Sequence, residues 1–145
     1  FTQTCLKTKN IVWRKSFTQL FSLTRQKKLN RCFVTLPLPL DWIRLMKPHR
    51  WQWVRTCNCA LFKVDYLAVG GQDEAYEGWG YEDSDMAIRL INNGCSVKWG
   101  GFTSPCFHLW HSEYDRSFSQ ENLFRLHSLI KNNTIFPKSK MQQNY

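Results

Sequence analysis

Acidic residues are scarce where basic ones are densest. Residues 1–55 hold one carboxylate, Asp41, against twelve Lys and Arg, a local charge of +11. Residues 56–145 hold ten acids and eight bases, a local charge of −2. No stretch approaches the ~20 consecutive apolar residues of a bilayer-spanning helix, which excludes a hydrophobic span. No signal-peptide pattern is visible, and there is no internal repeat or low-complexity segment. The six cysteines lack zinc-knuckle spacing; Cys57-Asn58-Cys59 is a C-x-C pair. Their even number permits disulfides without demanding them, and reduced thiols in a cytosolic protein are the expectation. A zinc site drawing on Cys95, Cys106, His108 and His111 stays conceivable.

What is present is globular. The 145 residues are 43% hydrophobic and 15% aromatic, with seven Trp, enough for one modest domain with a core. The chain begins at Phe1, and the expectation is a fragment of something longer. The basic first third could meet nucleic acid, anionic lipid head groups or phosphorylated substrates, and no motif chooses among them. A solvated leader is the bland alternative.

Periodicity sets out the remaining elements. Ser16 to Leu29 reads as a basic helix, Cys32 to Leu36 as a short strand, and Asp41 to Met46 as a helical turn. The run from Thr56 to Phe62 reads as a buried strand. Asp65 is the expected cap of a short helix over Tyr66–Val69, stopped by Gly70-Gly71. Strands are expected at Cys95–Trp99 and Pro105–His111, and a last amphipathic helix over Ser119 to Asn132.

Between these lies Gly78-Trp79-Gly80-Tyr81-Glu82-Asp83-Ser84-Asp85, three acids directly after a flexible aromatic loop. Met86 to Ile91 follows at helical spacing and Asn92-Asn93-Gly94 closes it, so the acids sit at or just before a helix N-terminus. Backbone N–H groups and the helix dipole favour negative charge there. A carboxylate beside a Trp face in a glycine-hinged loop suits removal of a proton from a sugar hydroxyl. An acidic helix cap beside a buried Trp accounts for the same spacing.

The ordered set Thr56-Cys57-Asn58-Cys59-Ala60, Val69-Gly70-Gly71-Gln72-Asp73-Glu74, Gly78 to Asp85, Arg89-Leu90, Gly94 and His108-Leu109-Trp110-His111 resembles the C-terminal part of certain glycosyltransferases. These are the bacterial family 2 enzymes, related there to β-1,4-galactosyltransferases and polypeptide N-acetylgalactosaminyltransferases. The likeness runs from about Trp42 to Ile130. It implies an α/β GT-A fold, of which this chain would be the acceptor-side portion, incomplete without its N-terminal nucleotide-binding half. The division expected is a basic leader over 1–41, the glycosyltransferase C-terminal domain over 42–132 and a polar tail over 133–145.

By that resemblance Asp83 is the general base and Glu82 helps hold the acceptor sugar. Trp79 is a stacking surface for the sugar, and Gly80 belongs to the same substrate-binding loop. Asp85 is a further motif acid, structural or acceptor-contacting. Tyr81 stands where the galactosyltransferase motif Gly-Trp-Gly-Gly-Glu-Asp has its third Gly. The resemblance also implies a divalent metal, Mn²⁺ or Mg²⁺, with His111 as ligand in preference to His108. His111-Ser112-Glu113 looks like the metal His followed by Ser and an acid, and His111 falls five positions after Cys106. Asp83-Ser84-Asp85 is not assigned as the family's metal-binding D-x-D pair, which ends an apolar strand well upstream.

The expected activity is inverting transfer of a sugar from a nucleotide-sugar donor to a saccharide or lipid-linked saccharide acceptor, in bacterial surface polysaccharide synthesis. Without a donor-binding half, the isolated chain is expected to be inactive or weak. Cytoplasmic placement, with peripheral contact to the inner membrane through the basic leader, accompanies this reading. The alternative is a catalytically incomplete carbohydrate-binding or scaffold module. A nucleic-acid binder using Trp51, Trp53 and the leader is disfavoured, because its charge lies outside the best-organised segment.

Overall fold

An isolated strand leaves its backbone N–H and C=O groups without partners, whereas a helix satisfies its own. Of this chain, the computed structural model describes residues 16–36, 38, 39, 41–104, 106 and 115–138, and among them the regular structure is entirely helical. The residues divide into two units, 1–46 with 99–113 and 47–98 with 114–145.

In the first unit, α1 (Phe17–Arg25) begins at Ser16, whose N–H donates to Gln19 Oε1 at 3.1 Å. It is shorter than the Ser16–Leu29 expectation. Leu20 packs with Leu29 and Cys32, flanked by Phe17 and Leu23. The Phe33 ring meets Phe17 and Phe21 at centroid distances of 6.0 and 6.4 Å. The strand expected at Cys32–Leu36 is a 3₁₀ turn, Phe33–Thr35, with Cys32 packed on Leu20 and the Phe33 ring against α1. The turn expected after Asp41 is α2 (Asp41–Leu45). Arg44 joins it to Trp99, donating from Nε to the Trp99 carbonyl at 2.8 Å and accepting the Trp99 N–H at 3.0 Å. A Cβ on Gly101 would lie 2.3 Å from the Trp99 ring, so only glycine fits there.

The second unit is built around α4 (Glu82–Asn92), with α3 (Lys63–Ala68) before it and α5 (Ser119–Asn132) after it. Every residue from Ser84 to Leu90 is buried. Met86 and Leu90 pack on Val69, with Tyr66 and Cys95 at the margin. Ile88 packs on Leu126 and Leu129, with Trp51 and Tyr81 beside them. α4 therefore has apolar cover on two sides, which fits its place after the acidic loop. Its last turn closes as a Schellman motif: Cys95 N–H reaches the Leu90 carbonyl and Gly94 N–H that of Ile91, both at 2.9 Å. Gly94 takes the left-handed φ of +90° that this closure requires. α5 spans the residues expected of it.

Three expectations are corrected in this unit. Thr56–Phe62 is not a buried strand: Thr56–Asn58 is a 3₁₀ turn, and Cys57, Cys59, Leu61 and Phe62 are exposed, so burial does not draw the run into a sheet. Asp65 does not cap its helix. α3 starts at Lys63, leaving Asp65 inside the first turn where it still complements the dipole. Cys95–Trp99 is not a strand: it has no regular structure, and Val97 N–H donates to the Pro48 carbonyl at 2.7 Å. The α/β character expected of a GT-A fold is thus absent among the described residues. The strand expected at Pro105–His111 lies outside them, apart from Cys106.

Candidate functional site

The acidic centre enters α4 through a left-handed step. Tyr81, the residue before the helix, has φ +72° and ψ −7°, a conformation that costs an L-residue ~1–2 kcal/mol. This is the position where the resembling motif carries glycine. Tyr81 compensates by packing its ring on the Ile88, Leu126 and Leu129 cluster. The step places Glu82, Asp83 and Asp85 together in the first helical turn, where the helix dipole favours negative charge.

The three carboxylates then diverge. Glu82 folds back, and its Oε2 accepts the Gly80 N–H at 3.1 Å, pinning the glycine loop to the helix. Asp83 reaches across 27 residues, and its Oδ2 accepts the Thr56 N–H at 3.1 Å. Its Oδ1 is covered and has no hydrogen-bond partner. Asp83 is thus not a cap on its own helix; it holds the Thr56–Asn58 turn. Cys59, at the end of that turn, is exposed as a residue, but local desolvation of its thiol and then the Asp83 charge push the thiol above its usual range.

Asp85 is 2% exposed, and both of its oxygens are taken. Oδ1 accepts from Arg89 Nε at 2.6 Å and Oδ2 from the Tyr76 hydroxyl at 3.1 Å. Arg89 is itself fully buried and donates from Nη1 to the Val69 and Gly71 carbonyls at 2.7 and 2.8 Å. Burial pushes the Asp85 carboxyl upward, against the Arg89 guanidinium and the Tyr76 hydroxyl, which pull it down. The same burial, with the Asp85 charge, raises the Tyr76 phenol well above its ordinary range. Asp85 therefore serves the interior: it neutralises an arginine that ties α4 to the end of α3. Contact with an acceptor sugar, expected of it from the sequence, does not fit that geometry.

Trp79 is 45% exposed, so its ring is open to a ligand, though the Arg116 guanidinium lies 4.4 Å from its centroid. Asn122 anchors the loop from α5, donating to the Glu77 carbonyl at 2.9 Å. Asp73, buried, gathers the preceding loop by accepting the N–H groups of Ala75 and Lys138 at 3.1 and 2.9 Å. Trp79, Gly80, Glu82 and Asp83 are thus brought together on one loop-to-helix corner. The expected metal ligand His111, and His108, lie outside the described residues, as do both histidines of the conceivable zinc set. Among the described residues no three His, Cys, Asp or Glu side chains form a metal-holding group.

Sequence reasoning missed the Thr56 amide, the Tyr76 hydroxyl and Arg89 as supports of this corner. Arg89 had a legible signal, since Asp and Arg four apart on a helix are neighbours. The Thr56–Asp83 bond joins distant segments and had none.

Residues 44–112 match a family model described as the N-terminal domain of galactosyltransferase. Over 65 residues the chain is 43% identical to validoxylamine A glucosyltransferase of Streptomyces hygroscopicus subsp. jinggangensis (strain 5008), covering 41% of this chain and 15% of that protein. The protein of the same name from Streptomyces hygroscopicus subsp. limoneus is 43% identical over 65 residues, covering 14% of its length. The chain thus spans about a seventh of the curated relatives it matches. No solved structure matches. Together these findings support a likeness to glycosyltransferases over the stretch that carries the acidic centre.

Proposed function

We propose that this chain is the acceptor-side part of a GT-A glycosyltransferase and that Asp83 is its general base. The observation that carries the proposal is the Asp83 carboxylate: one oxygen is fixed by the Thr56 amide, and the other is left without a partner at the head of α4. A base must be held still and must keep a lone pair unengaged, and this arrangement meets both needs. Asp83 Oδ1 takes the proton of an acceptor hydroxyl as that oxygen attacks the anomeric carbon of a nucleotide sugar, and the nucleotide diphosphate leaves. Attack from the face opposite the leaving group inverts the anomeric centre. Because Oδ1 is covered, the groups over it have to move aside for the acceptor to reach it, while the Thr56 amide keeps its hold on Oδ2.

Trp79 offers a sugar-stacking face, while Glu82 shapes the loop through the Gly80 amide. Asp85 keeps its structural place with Arg89. A divalent metal, Mn²⁺ or Mg²⁺, belongs to the proposal through His111, or less favourably His108, and would neutralise the leaving diphosphate. The described residues contribute the proton-accepting side of the chemistry alone. The exposed run Leu61, Phe62, Val64 and Leu67 is consistent with a nucleotide-binding half that covers it in a longer protein. Among the described residues no helix is long and apolar enough to cross a membrane. Cytoplasmic placement and a role in surface polysaccharide synthesis are part of the same proposal.

The test is Asp83→Asn in the longest natural form of the protein, with Mn²⁺ and UDP-glucose or UDP-galactose as donor probes. Loss of transfer by 10²-fold or more with saccharide affinity kept supports the base role; undiminished transfer removes it. Titration calorimetry separates the alternative reading. Saccharide binding without any nucleotide-sugar binding or turnover assigns the chain as a carbohydrate-binding module.

A further inference from the structure

Away from the acidic corner, but within the same unit, Lys47, Pro48, His49, Arg50 and Gln52 line a shallow, open depression of about 440 Å³. No acid contributes to the lining, and none of the described carboxylates pairs with Lys47, His49 or Arg50. The Lys47 ammonium and the Arg50 guanidinium instead lie over the ring of Trp53, at 5.7 and 4.4 Å from its centroid. Trp53 is 42% exposed. The turn is held rigidly: Arg50 N–H donates to the Lys47 carbonyl at 3.2 Å and Val97 N–H to that of Pro48 at 2.7 Å. Its far end, the Trp51–Trp53 turn, packs on α4, with Trp51 against the Ile88 cluster.

We infer that this turn is an interfacial docking site for an anionic phospholipid surface. Cations that no described carboxylate pairs, above a half-exposed indole, match the headgroup layer, where phosphates meet Lys and Arg and an amphipathic ring sits at the boundary. The depression is too open to enclose a small anion, so a flat array of phosphates suits it better than a free phosphate ion. The +11 charge of residues 1–55 draws the chain to such a surface over a Debye length, and the turn supplies the fixed contact. Because that turn packs on α4, docking would present the acidic corner at a defined orientation to the bilayer. The inference stands apart from sugar transfer, since vesicle binding needs neither donor nor acceptor.

The experiment is co-sedimentation of the full chain with phosphatidylcholine vesicles, with and without phosphatidylglycerol, at fixed salt. Partitioning should require phosphatidylglycerol. Lys47→Ala with Arg50→Ala should lower the partition coefficient roughly 30-fold. Lys27→Ala with Arg31→Ala, an equal loss of charge elsewhere, should lower it only a few-fold. Equal losses in the two double variants, or binding indifferent to phosphatidylglycerol, would overturn the inference. So would competition by millimolar inorganic pyrophosphate at constant ionic strength, which would make the depression a soluble-anion site. Should the double variant fail to fold by circular dichroism, Lys47→Gln and Arg50→Gln singly provide the same comparison.

Discussion

Among the described residues Arg89 is the largest fully buried side chain; a buried cation is tolerated when its charge is paired and most of its donors are met, and here Nη2 alone is left without a partner. Asp85 answers with charge, and the Val69 and Gly71 carbonyls answer with lone pairs. Asp85→Asn should therefore cost ~3–5 kcal/mol in urea unfolding, because it leaves the guanidinium without its counter-charge. An apolar pair, Asp85→Leu with Arg89→Met, often restores stability at buried ion pairs. Here it should not, since two carbonyls lose their donor at ~1–3 kcal/mol each. A double variant as stable as the native chain would show that the carbonyls find other partners. Tyr76 gives a pH test at the same site. Its phenol is raised by burial and by Asp85, so folding favours the protonated form. That stability is fully present below the free phenol range near ~10 and is lost as the pH rises above it. Absorbance at 295 nm should show one tyrosine ionising late, together with alkaline unfolding, and Tyr76→Phe should remove that step. A titration in which all tyrosines ionise before unfolding would refute it.

At the scale of elements, α4 is decided at its two ends by residues in left-handed backbone. At the C-terminal end Gly94 is at φ +90° with open space around its missing Cβ, so Gly94→Ala should cost only the backbone strain, ~1 kcal/mol, by thermal unfolding. At the N-terminal end Tyr81 carries the strain itself and recovers it through packing. Tyr81→Ala keeps the strain and loses the packing, whereas Tyr81→Gly loses both. The Gly variant should thus be more stable than the Ala variant by ~1 kcal/mol, the reverse of the order found inside helices. Helix ends such as these were legible: the acidic first turn, Gly94, and the span of α5 all follow from local chemistry. The strands expected at Cys32–Leu36, Thr56–Phe62 and Cys95–Trp99 were not. An apolar run such as Thr56–Phe62 becomes a strand only if a neighbour pairs with its backbone, and pairing is set by distant residues that periodicity does not contain. For the same reason the Gly-Trp-Gly–Glu-Asp corner could be found from sequence, while its attachment to Thr56 could not.

On the scale of the whole molecule, large apolar side chains stay in water. Phe62 is 77% exposed, Val64 71% and Leu67 60%, all at or within α3, while Val69 just beyond it is fully buried. One side of this short helix thus feeds the interior and the other covers nothing within its unit, more apolar exposure than scattered surface residues account for. The expected consequence is measurable in the isolated chain. Phe62→Ser with Leu67→Lys should change the unfolding free energy from urea titration by no more than ~0.5 kcal/mol, because surface changes of this kind remove few native contacts. The same pair should lower binding of the dye ANS and raise solubility. In a longer natural form whose nucleotide-binding half covers this face, the two substitutions should instead destabilise by several-fold more and depress transfer along with it. Equal stability effects in both contexts would mean that the face stays in solvent throughout, and that any donor-binding half docks elsewhere on the chain.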